Sequence, residues 1–266
     1  MINKYKKIVI KIGSSSIVNS KSKKINAKWM KKLCEDIKKY HKEKKIIIVC
    51  SGAIALGSSM IRNKNLRKLE DKQAAASVGQ IELAHQWKQH LKTHKIDIAQ
   101  ILITLEDSEV RRRYLNARKT INTLLQNKVI PVINENDTVA TEEIRYGDND
   151  RLAARVAQII GADTLIILSD VDGLYDKSKS KKIIKTVSKI DSNINALIDN
   201  KKSFYGSGGI STKLDAAKIC INAGCHMFIG NGEKNYSISN MIKNKTYTHF
   251  IPKISSLDAR KKWIIS

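Results

Sequence analysis

Aromatic residues make up only 5% of this 266-residue chain, too few for a base-stacking platform, so its net charge of +24 does not by itself mark a nucleic-acid binder. Lysine is spread along the whole length beside many Ile and Asn, and what remains of the charge argument is a positive field that attracts anionic ligands. The four cysteines, Cys34, Cys50, Cys220 and Cys225, lack Cys-x-x-Cys spacing, which argues against the usual zinc and redox motifs. They fall in apolar or helical segments and read as reduced core thiols of a cytoplasmic protein. No long apolar stretch or small-residue cleavage site is present, so neither a membrane nor an export route is expected. Only two prolines occur, Pro131 and Pro252, with no Ser/Gly linker, low-complexity tract or internal repeat, so residues 1–266 are expected to form one domain.

What is present is an alternation. Apolar runs of strand length, Lys7 to Ile12 and Ile46 to Cys50, flank a helix-period stretch from Ala27 to Tyr40, which predicts βαβ units and a parallel sheet. Further buried strands are expected at Ile98 to Thr104, Val129 to Ile133, Thr164 to Ser169, His226 to Ile229 and Thr248 to Ile251. With helical patterns between most of them, the expected fold class is α/β, a three-layer α/β/α sandwich around a mainly parallel open sheet. Thr141 to Arg145 reads as part of a small hairpin, and Asp176 to Lys182 and Ile198 to Ser207 as surface loops.

The polar motifs fall where these strands end. Lys11-Ile12-Gly13-Ser14 closes the first strand, so a lysine and Gly/Ser amides can face an anion there; the spacing is neither that of a P-loop nor Gly-x-Gly-x-x-Gly. Ser51-Gly52 follows the second strand and opens either a second anion cradle or a plain capped helix. Asn134-Glu135-Asn136-Asp137 and Gly147-Asp148-Asn149-Asp150 suit an ammonium group, or magnesium through water, although one carboxylate could equally be an N-cap. Ser169-Asp170 closes a later strand. Gly206-Ser207-Gly208-Gly209-Ile210-Ser211-Thr212-Lys213 brings flexible glycines to a lysine on a first helical turn, a phosphate loop in composition.

In this order the motifs resemble those of the glutamate 5-kinase family of the amino acid kinase superfamily: Val-Ile-Lys-Ile-Gly-Ser from Val9, Ser-Gly-Ala-Ile-Ala-Leu-Gly from Ser51, Leu-Asn-Ala-Arg from Leu115, Pro-Val-Ile-Asn-Glu-Asn-Asp from Pro131, Gly-Asp-Asn-Asp from Gly147, Leu-Ser-Asp-Val-Asp-Gly-Leu-Tyr from Leu168, and the glycine loop ending at Lys213. Aspartate, acetylglutamate and uridylate kinases share the Leu-Ser/Thr-Asp and Gly-Gly-x-x-Thr-Lys elements with variation and form the alternative. The resemblance implies a carbamate kinase-like fold and transfer of a phosphoryl group from ATP, with Mg2+, to the side-chain carboxylate of L-glutamate, the first step toward proline. By position it implies Lys11, Lys213 and Asp150 as catalytic residues, and Ser51, Asn134, Asp137, Asp148 and Asn149 as the glutamate site. ATP falls to Lys11, Gly13, Ser169, Asp170, Ser207, Gly208, Gly209, Ile210, Ser211, Thr212 and Lys213. No protein ligand to the metal is expected. The resemblance further implies a homo-oligomer with proline as a feedback inhibitor, and no nucleic-acid partner. A carboxylate nucleophile is already ionised at neutral pH, in keeping with motifs that contain no histidine. Ser169 stands where many family members have Thr, keeping the hydroxyl. Many bacterial members continue after an Arg-Lys-x-Trp-Ile element into a PUA domain; this sequence ends at Ser266, just after Arg260 to Ile264, so that domain is expected to be absent.

Overall fold

In the computed structural model, which describes residues 2–61, 66–140, 148–176, 182–195 and 209–253, the apolar runs become strands and the mixed segments helices. The strands are β1 (Lys7–Ile12), β2 (Lys45–Cys50), β3 (Ile98–Ile103), β4 (Ile130–Glu135), β5 (Thr164–Ser169), β6 (Tyr175–Asp176), β7 (Lys182–Ile183), β8 (Thr186–Val187), β9 (His226–Asn231) and β10 (Tyr247–Phe250). The helices are α1 (Ser14–Ile17), α2 (Ala27–His41), α3 (Ala53–Gly57), α4 (Leu69–Lys92), α5 (Arg111–Gln126), α6 (Asp148–Ile160), α7 (Ser192–Asn195), α8 (Ile210–Asn222) and α9 (Ser237–Asn244).

Eight strands pair in the order β3-β4-β2-β1-β5-β9-β10-β8, and β3 through β9 in that order run parallel. A central parallel strand is covered on both faces, and β1 divides accordingly. Ile8, Ile10 and Ile12 enter one core with Trp29, Met30 and Leu33 of α2, Leu83 and Trp87 of α4, and Met241 of α9. Val9 enters the other with Ile121 of α5, Leu152 and Val156 of α6, and Leu214 of α8. Three layers result. The Asn26 side chain caps α2 by accepting from Trp29 N at 3.3 Å, and the apolar stripe from Trp29 to Ile37 then faces the sheet.

One helix pair is unusually close. A Cβ on Gly57 of α3 would lie 1.9 Å from Ala75 O, and one on Gly79 of α4 would lie 1.9 Å from Ala53 O, so the two backbones are in direct contact. Only glycine fits such a crossing.

Three differences from the sequence reading have local causes. The last strand, expected over Thr248 to Ile251, is Tyr247–Phe250 and runs antiparallel to β9, an orientation that a short apolar run cannot distinguish from a parallel one. The expected surface loop Asp176 to Lys182 has ends that pair as β6 and β7, because Tyr175 and Ile183 stand opposite each other. β8, two residues long, is too short to leave a pattern. The expected hairpin at Thr141 to Arg145 lies outside the described residues, as does the stretch Ile198 to Ser207. All four cysteines are free and buried.

Candidate active site

Neighbouring parallel strands end on one edge of the sheet, so side chains distant in sequence converge there. Lys11 is the fifth residue of β1, and its ammonium group stands 2.6 Å from Asp150 Oδ1. Lys213, on the first turn of α8, places Nζ 3.2 Å from Asp150 Oδ2, and Thr212 Oγ1 donates to that oxygen at 3.1 Å. Residual exposure is 7% for Lys11, 6% for Lys213 and 0% for Asp150. Burial alone would raise the Asp150 pKa; the charges of Lys11 and Lys213 outweigh it, and the carboxyl is held below its ordinary value. Two ammonium groups share this carboxylate in a shielded crevice, an arrangement that suits a multiply charged anion.

A second, uncharged cluster adjoins it. Asn149, next to Asp150 in α6, donates through Nδ2 to Cys50 O at 3.1 Å and to Asn134 Oδ1 at 3.2 Å. Asn134, near the end of β4, donates through Nδ2 to Gln80 Oε1 at 2.7 Å. Ser51 Oγ donates to Ile12 O at 3.3 Å, tying the ends of β1 and β2 together, and Gly52 takes φ +114° to start α3 immediately after. Asp137, in the turn after β4, is 9% exposed, and burial pushes its pKa up to about 6. It lines a groove of about 290 Å3 with Ser77, Gln80, Asn136 and Thr138. Burial disfavours the charged form of this carboxyl, and a cation arriving beside it favours that form again.

On the other side of Lys11, Gly13 caps α1, and a Cβ there would sit 3.9 Å from both Lys11 Nζ and Leu168 O. Ser169 Oγ donates to Asp170 Oδ1 at 2.7 Å, and Gly232 N donates to Ser169 O at 2.6 Å. Gly209 caps α8 and Thr212 Oγ1 reaches back to Gly209 O at 3.0 Å; Ile210 is half-buried and Ser211 exposed. Asp148 opens α6, and its side chain, like Ser207 and Gly208, lies outside the described residues. Among the described residues no group of three His, Cys, Asp or Glu gathers to hold a metal.

The structure thus brings Lys11, Asp150 and Lys213 together, and joins Asn134 to Asn149. It adds residues that the motifs did not single out. Gln73 Nε2 donates to Ala140 O at 3.2 Å, and Ser77 Oγ lies 3.1 Å from Thr138 Oγ1, so α4 holds the turn after β4 as well as Asn134. The available signal was the run Ala74-Ala75-Ala76-Ser77-Val78-Gly79, small residues that permit close helix approach.

Comparison with known proteins gives the family and the fold. The profile of the amino acid kinase family matches residues 6–231. A glutamate 5-kinase of Pelagibacter ubique is 52% identical over 97% of this chain and 72% of its own length, and one of Bradyrhizobium diazoefficiens is 46% identical over 99% and 72%. Among solved structures, UMP kinase from Ureaplasma parvum superposes with a TM-score of 0.63 at 16% identity, covering 92% of this chain and 96% of its own. Carbamate kinase from Giardia lamblia does so with a TM-score of 0.65 at 16% identity, covering 93% and 99%. These two establish the fold, and the sequence relatives the family. The chain belongs to the amino acid kinase family and, within it, stands among the glutamate 5-kinases.

Proposed function

We propose that this chain transfers the γ-phosphoryl group of ATP to the side-chain carboxylate of L-glutamate, giving ADP and L-glutamyl 5-phosphate on the way to proline. The observation that carries the reading is the Lys11–Asp150–Lys213 cluster, set between the Ser169–Asp170 turn and the Asn134–Asn149 pair. A glutamate carboxylate oxygen attacks the γ-phosphorus in line as the bond from that phosphorus to the β,γ-bridging oxygen breaks. The nucleophile needs no base, so the protein's task is position and charge. Asp150 orients both ammonium groups toward the transferred phosphoryl. Magnesium would arrive as part of the nucleotide substrate and neutralise phosphate charge there; among the described residues the carboxylate buried in the cluster, Asp150, is already shared by two lysines.

Ser51, Asp137 and Asn149, with Asn134 and Asp148 beside them, form the glutamate site in this reading. A buried carboxylate and fixed amides fit the substrate's ammonium group. Gly13, Ser169, Asp170 and the loop from Ser207 to Lys213 hold ATP. Family resemblance supports one domain, a homo-oligomer, competition by proline at the glutamate site and a cytoplasmic setting; the four free thiols are consistent with the last.

The test is hydroxylamine trapping of the acyl phosphate with ATP and magnesium across glutamate, aspartate and N-acetylglutamate, with ADP release followed for each of these and for UMP, whose phosphorylation gives no acyl phosphate. Hydroxamate is expected with glutamate. Its absence there, or a stronger signal with another substrate, would refute the assignment.

A further inference from the structure

We propose that Gln80 is a positioning residue for glutamate, setting the direction of the Asn134 and Asn149 amides so that Asn149 presents an acceptor to the substrate's α-ammonium group. The inference rests on the reading of Asn149 as a glutamate contact.

The argument is one of hydrogen-bond polarity. Gln80 Oε1 can only accept, and it receives Asn134 Nδ2 at 2.7 Å. That turns Asn134 Oδ1 toward Asn149, whose Nδ2 donates to it at 3.2 Å and to the backbone oxygen of Cys50 at 3.1 Å. A side-chain amide has two N–H groups, and both of Asn149's are now directed at acceptors of the protein. Its carbonyl Oδ1 is the end left to offer to a ligand, and an ammonium group requires acceptors. Reversing Asn134 would face one NH2 with another. Asn149 would then have to turn over and present donors to a cationic substrate.

Gln80 is well placed to impose this direction because its neighbour Gly79 locks α4 against α3. A Cβ on Gly79 would meet Ala53 O at 1.9 Å, leaving α4 no room to move closer, and α3 begins directly after Ser51 and Gly52. Gln80 also lines the groove beside Asp137, so it borders both the amide relay and the buried carboxylate.

Gln80→Met keeps the side chain's length but removes the acceptor; Gln80→Leu is a second acceptor-free variant, and Gln80→Glu keeps an acceptor. Each whole protein is assayed with glutamate, with ATP as the varied substrate, and with glutarate, which lacks the ammonium group. Losing this part-buried hydrogen bond should raise the glutamate KM of Gln80→Met about tenfold, with the ATP KM within about twofold and Gln80→Glu within about threefold of the parent. Turnover of glutarate should be unchanged, so the preference for glutamate over glutarate falls about tenfold. The proposal is overturned if Gln80→Glu loses as much as the acceptor-free variants, if those variants leave the glutamate KM unchanged, or if glutarate suffers equally. A parent protein without activity on glutamate would instead refute the function itself.

Discussion

Replacing Asp150 by Asn keeps the side chain's shape and removes the charge that sits between two lysines. In the unliganded protein both ammonium groups, 7% and 6% exposed, then face each other across a neutral amide. Removing one member of a buried ion pair costs about 3–5 kcal/mol, because the remaining charge stays desolvated or must lose its proton. For a chain of this size that is a fall in Tm of about 10 °C. Phosphate oxygens can take the place of the missing carboxylate, so saturating ATP should restore most of the loss, and the ligand-induced rise in Tm should be larger in Asp150→Asn than in the parent. Thermal unfolding followed by circular dichroism, with and without MgATP, measures both. An unchanged Tm without nucleotide, or an equal deficit with it, would refute the view of Asp150 as the counter-charge that holds these lysines ready.

Lys213→Ala should lower kcat by about 10²–10³ while the glutamate KM moves little, because its charge meets the phosphoryl mainly in the transition state; a raised KM at constant kcat would count against it. Asp137, whose pKa burial lifts to about 6 from an ordinary value of 3.8, keeps a proton between those pH values that the unfolded chain has lost, so it reduces stability as pH rises through that window. Asp137→Asn should therefore stabilise the unliganded protein above pH 6 by at most about 3 kcal/mol and have no effect below pH 4. The difference between variant and parent is the readout, because His249, lowered to about 4 by burial and then by His226, changes stability with the opposite slope there. Gly79→Ala should destabilise the fold by about 1–3 kcal/mol or more in urea unfolding, since its Cβ meets backbone and not a movable side chain.

The sheet was largely legible because period and composition agreed: β1 and β5 begin and end where their apolar runs do. Lys11 and Lys213 could be read as a phosphate pair from strand-end and glycine-loop chemistry. Asp150 joined them as a catalytic residue only by resemblance, since residues 11, 150 and 213 carry no local signal of contact. Gln80 was not legible. It lies on a 24-residue helix of mixed pattern and meets Asn134 across 54 positions of sequence. Such contacts depend on how α4 docks, and that docking is governed by Gly57 and Gly79, whose role appears only once two backbones are seen to touch. β6, β7 and β8 left no pattern for a related reason: two residues are too few for a period.

The central claim is that glutamate's own side-chain oxygen becomes the bridge to phosphorus. Glutamate labelled with 18O in that carboxylate, incubated with the protein, ATP and magnesium and then cleaved with hydroxylamine at the carbonyl carbon, should release inorganic phosphate carrying one labelled oxygen, as read by mass spectrometry. Phosphate free of label, released at the rate of ADP formation, would mean that water and not glutamate accepts the phosphoryl group.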